Sequence, residues 1–83
     1  MNNIVYLVFE NYNAGEELCT TVFSTYDKAK EYFDSIVDRE LTNSWINADP
    51  DEYIEQNYED EFFAYDYING DSTHIYTIKK EIL

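Results

Sequence analysis

The chain has 83 residues, 18 of them acidic against five Lys or Arg, for a formal charge of −13 at pH 7. That length makes one small domain, residues 1–83, with a marginal core, while nine Tyr, five Phe and one Trp exclude an acidic disordered tract. The charge disfavours direct binding to nucleic acid, which needs Lys and Arg on phosphates, and to anionic membrane surfaces. One cysteine, Cys19, allows no internal disulfide. With no apolar run near 18 residues and no basic region at the N-terminus, the chain reads as soluble and cytoplasmic.

Ile4–Phe9 is a continuous apolar run rich in β-branched and aromatic residues and predicts a central strand near 3–10. Asn11–Glu17, with Asn13 and Gly15, predicts a turn, and Leu18–Phe23 a second strand. Ser24 as cap, with Phe23 before it and Asp27 three residues on, opens a helix near 25–41. Ala29, Phe33, Ile36 and Val37 form its apolar stripe, while Glu31, Asp34 and Asp38 point away. Asp49-Pro50-Asp51-Glu52 is a strong second helix start, predicting a helix near 50–58. Glu61–Ile68 alternates as a third strand, Asn69-Gly70 turns, and His74–Ile82 is the fourth. The expected fold is α+β: a four-stranded antiparallel sheet with two helices on one face, order β-β-α-α-β-β. Val5 or Tyr6, Leu7, Phe9, Val22, Ala29, Phe33, Ile36 and Ile78 are the expected core. The other face of the sheet, left to solvent or a partner, should hold many Tyr.

No residue pattern identifies an enzyme. His74 is the lone His and sits beside a turn; Cys19 lies mid-strand without a basic neighbour. Two glycines cannot build a phosphate cradle. Asp49, Asp51, Glu52 and Glu55 lack the Gly and the terminal Glu of an EF-hand loop, so helix capping and solvated charge explain them. No catalytic residue, metal ligand or cofactor is expected.

The distribution of charge is more informative. Nine acids and no Lys or Arg fall between Asp49 and Asp71, and residues 31–71 carry −12 of the chain's −13. On the expected second helix, Glu52, Glu55 and Glu59 share one stripe. Glu59-Asp60-Glu61 extends it, Asp66 and Asp71 continue it, and Glu31, Asp34 and Asp38 line the first helix. With Asp51 these are the candidate partner-binding residues. Ordered carboxylates with interleaved Tyr offer anionic points much as a nucleic acid does, and a basic protein surface is the matching partner.

In size and charge distribution the chain resembles phage-encoded inhibitors of bacterial defence of the DNA-mimic type, which include anti-CRISPR proteins. The run VYLVFENY…VFSTYDKAKEYF is similar to small ββα domains of bacteria and phages. The first resemblance implies an inhibitor that occupies the basic groove of a nucleic-acid enzyme, a Cas9-type nuclease being one such target. The alternative is a structural or regulatory interaction module, homodimeric through the Tyr-rich sheet face and unrelated to nucleic acids.

Overall fold

The computed structural model describes residues 3–13 and 17–82. Five strands, one long helix and one short one follow in the order β1 (Asn3–Tyr12), β2 (Glu17–Phe23), α1 (Tyr26–Asn43), a 3-10 turn (Trp45–Ala48), α2 (Pro50–Tyr53), β3 (Ile54–Asn57), β4 (Glu61–Tyr65) and β5 (Ser72–Ile82). The strands form one antiparallel sheet in the order β2-β1-β5-β4-β3. The two longest strands, β1 and β5, pair at its centre from Asn3↔Ile82 to Tyr12↔Thr73. α1 carries the chain from the β2 edge across one face toward the β3 edge. The α+β class is as expected, but the sheet has five strands rather than four.

The extra strand replaces most of the expected second helix. Asp49 caps α2 by accepting from the Glu52 amide at 3.3 Å, and Pro50 occupies the first turn. The helix stops at Tyr53, because Ile54 is already extended (φ −76°, ψ 118°). Ile54–Asn57 instead pairs with β4, from Ile54↔Ala64 to Asn57↔Phe62. That pairing satisfies backbone groups that β4 would otherwise leave at a bare edge. A helix through 58 would also have aligned Glu52, Glu55 and Glu59 with no cation beside them.

Smaller corrections follow from local hydrogen bonding. Thr25, not Ser24, caps α1, accepting from the Lys28 amide at 3.3 Å. The third predicted strand ends at Tyr65 instead of Ile68. There Asp66 accepts from the Ile68 amide (2.9 Å), the Asn69 amide (3.2 Å) and Asn69 Nδ2 (2.8 Å). Gly70 closes this turn at φ 77° and donates to the Asp66 carbonyl. The expected turn residue Gly15 lies outside the described residues.

The core lies between α1 and the sheet: Val8, Ala29, Phe33, Ile36, Val37, Ile46, Phe62, Ala64 and Ile75 are buried together. The α1 stripe is where the helical spacing puts it. On β1 the phase is opposite to expectation. Val8 and Glu10 point to the helix, whereas Leu7 and Phe9 lie on the far face, as do the cross-strand partners of Leu7, Val22 and Ile78, both exposed. A strand apolar on both sides has no alternation to reveal which parity meets the helix.

Two stability outcomes follow. Phe33 is 2 % exposed, so Phe33→Ala should lose about 3–5 kcal/mol, read as a lower urea midpoint with an unchanged slope. Asp66 is buried and its carboxyl is held below the usual range, chiefly by the Asn69 side chain. A depressed folded pKa stabilises above the unfolded value of about 4 and is lost as pH falls through the folded one. Asp66→Asn should therefore be less stable than the parent at neutral pH, with the gap closing on acidification, as followed by urea unfolding across pH.

Candidate interaction surfaces: an acidic layer and an aromatic sheet face

The candidate carboxylates divide by element. Glu31, Asp34 and Asp38 are exposed along the outside of α1, and Asp51 and Glu52 are exposed on α2. Glu55 is exposed on β3, and Glu59 and Asp60 at the β3–β4 turn. Glu52, Glu55 and Glu59 thus share no helical stripe: they follow one another along α2, the edge strand and its turn. Glu61 and Asp71 are half-buried, and Asp66, committed to its turn, is 3 % exposed and does not belong to the surface.

Few of these charges are neutralised. Among the described residues the ion pairs are Lys30–Asp34 (2.9 Å), Arg39–Glu40 (3.1 Å) and Arg39–Glu10 (3.7 Å), and His74 Nε2 lies 2.7 Å from a Glu61 carboxylate oxygen. Lys30 also donates to the Glu59 carbonyl at 2.8 Å, tying the acidic turn to α1. Tyrosine hydroxyls hold other carboxylates. Tyr26 donates to Asp60 at 3.0 Å and to Glu59 at 3.5 Å, and Tyr67 donates to Glu55 at 2.8 Å. A phenol orients a carboxylate without cancelling its charge. Beneath this surface, buried Glu10 accepts from Tyr12 and Tyr32, both at 2.8 Å, and Arg39 bonds the Tyr12 hydroxyl. This buried network leaves no periodicity in the sequence and was not expected from it.

The opposite face of the sheet carries a chain of rings. Phe9 stacks on Tyr76 (5.0 Å between centroids), Tyr76 meets His74 (4.7 Å), and His74 meets Phe63 (5.4 Å). Phe63 then meets Tyr65 (6.3 Å), and Tyr65 meets Tyr67 (4.6 Å). Alternation along β4 and β5 explains the series, since every second residue shares this face. No helix covers it. Its acidic edge is an open cavity of about 440 Å³ lined by Glu55, Gln56, Glu61, Phe63, Tyr67 and His74. Carboxylates beside ring faces suit a guanidinium or ammonium group.

Among the described residues no cluster of acidic, His or Cys side chains is placed to hold a metal ion, and no helix is long and apolar enough to cross a membrane. Cys19 is exposed. No family model, curated protein or solved structure matches the chain.

The phenol–carboxylate bonds have a spectroscopic consequence. Tyr26 is pushed up to about 12, chiefly by its bond to Asp60, and Tyr67 is raised chiefly by Glu55. Tyr12 and Tyr32 are raised first by burial, then by Glu10. A raised folded pKa stabilises below the unfolded phenol value of about 10 and is lost as pH rises through the folded values. The ultraviolet phenolate titration of the folded chain should lag that of the urea-unfolded chain. Asp60→Asn should bring one tyrosine forward.

Proposed function

We propose that this domain is an inhibitor-type interaction protein that presents a DNA-like array of carboxylates to the basic groove of a nucleic-acid enzyme. The observation that carries the reading is the extent of exposed acid that no cation pairs: Glu31, Asp38, Asp51, Glu52, Glu55, Glu59 and Asp60 lie on α1, α2, β3 and the turn after it, with Asp34 beside Lys30 among them. The dimensions support it as well. The molecule extends 49 × 22 × 17 Å, and a net charge of −13 over 49 Å is about one charge per 4 Å. One DNA strand carries one per about 3.4 Å. Tyrosine bonds hold part of the array in place, so less side-chain freedom is lost on docking.

In this reading the protein acts in the bacterial cytoplasm, needs no cofactor, and competes with nucleic acid instead of catalysing a reaction. Arginine side chains of the partner would meet the outer carboxylates, and one would enter the cavity between Glu55 and Tyr67. A Cas9-type nuclease, which holds nucleic acid in basic channels, is the first target to test. The uncovered ring series favours a second reading, a non-enzymatic interaction module that docks through its aromatic face independently of nucleic acids.

Competition separates the two. A guide-loaded Cas9-type nuclease should release labelled duplex as the protein is added, and release should weaken with rising salt. The variant Asp34→Lys/Asp38→Lys/Glu55→Lys/Glu59→Lys should lose the effect while keeping its circular dichroism. Tyr67→Ser should lose less. Full inhibition by the charge-reversed variant would sink the DNA-mimic reading. A binding loss confined to aromatic-face variants would establish the second.

A further inference from the structure

The two edges of the sheet are built differently. β3 has four residues, a register shift between Ile54 and Gln56, an exposed Glu55 and an acidic turn after it. Short length, irregular pairing and charge all guard an edge against further pairing. β2 has fewer of these protections, its one charged residue, Glu17, standing at its start. It pairs with β1 in unbroken register over seven residues, and Leu18–Phe23 contains no charged residue and no Pro. Leu18 is 72 % exposed and Val22 58 %. Cys19 is exposed although its register places it on the helix side, so α1, which packs Tyr32 on Phe23, leaves the Cys19 end of this strand uncovered. On that side an apolar-walled cavity of about 330 Å³ runs between the strand and α1, lined by Phe23, Lys28, Glu31, Tyr32 and Ser35.

We infer that β2 is a self-association edge, pairing antiparallel with β2 of a second copy to give a two-fold dimer with one continuous sheet. The occupant follows from charge and register. Two molecules of charge −13 approach most readily where acid is sparse, and Leu18–Phe23 carries none. The β2 edge lies four strand spacings from the β3 edge, about 19 Å, which is over two screening lengths at physiological salt. In the cavity beside it, Lys28 offsets Glu31. The strand is also self-complementary. Leu18, Thr20 and Val22 share the open face, and a two-fold axis through Thr20 sets Leu18 opposite Val22 of the second copy, twice. Thr20 faces its own counterpart and Cys19 faces Thr21, while the two Glu17 residues fall at opposite ends. Such apolar and Thr–Thr pairs are favourable cross-strand neighbours. The dimer joins the two aromatic faces side by side and leaves both acidic layers outward.

Sedimentation of the full chain, from micromolar to millimolar concentration, should show a reversible monomer–dimer equilibrium. Thr20→Lys sets two like charges against each other and should weaken the dimer by at least about fivefold. The same change lowers the net negative charge, so association driven merely by reduced repulsion would strengthen instead. Under oxidising conditions Thr21→Cys should give a reducible covalent dimer through Cys19, whereas Thr77→Cys should not. A monomer at all concentrations overturns the inference. So does a dimer that Thr20→Lys leaves intact but Tyr76→Ser dissolves, which would place the joint on the aromatic face. The native edge taking up only an added foreign strand peptide, with no self-association, would also overturn it.

Discussion

Mutual repulsion among acids is the constraint to which the rest of this molecule answers. A net charge of −13 on 83 residues opposes any compact state, and five cationic side chains cannot pair with 18 acids. Two of the cations each serve several groups. Arg39 reaches Glu40 and the edge of the buried Glu10 site. Lys30 joins Asp34 to the Glu59 carbonyl and so latches the β3–β4 turn onto α1. Where cations run out, tyrosine hydroxyls donate: to Glu10 inside, and to Glu55, Glu59 and Asp60 outside. Hydrogen bonds to charged acceptors are stronger than neutral ones, and they preserve the charge. The abundance of tyrosine therefore serves the acidic surface as much as the apolar core.

The crossing of α1 divides the molecule. By passing from the β2 side toward β3 it buries Val8, Ile75, Phe62 and Ala64 beneath Phe33 and Ile36. It also carries Glu31, Asp34 and Asp38 outward. The sheet's other side is then left with Phe9, Tyr76, His74, Phe63, Tyr65 and Tyr67 in ring contact. The α1 acids face outward on one side and the continuous ring series lies on the other, because the helix amphipathicity and the strand alternation are satisfied together; Glu55 and Glu61 border the ring series. The cavity bounded by Glu55 and Tyr67 marks where the two regions meet. The two proposed functional readings draw on these two regions, and the unguarded β2 edge lies away from the acidic β3 side.

The sequence by itself determined the α+β class, the apolar stripe of α1 and, within one residue, its start, and the segregation of charge into residues 31–71. Each rests on local chemistry: a cap, a 3.6-residue spacing, a run of like residues. It also located the Asn69-Gly70 reversal, although the role of Asp66 in holding that turn emerged only when its carboxylate was seen to collect three donors. Tertiary structure decided the rest. Asp49, Pro50 and Glu52 begin a helix as their chemistry dictates, but the unpaired edge of β4 draws Ile54–Asn57 into the sheet after one turn. Ile4–Phe9 is apolar at every position, so only the placement of α1 decided that Val8 is core and that Leu7 and Phe9 face outward. The aromatic series, the Glu10 network and the exposed edge of β2 depend on which strands become neighbours. That order is set by pairing between residues distant in the chain, where no local pattern of side chains specifies the partner.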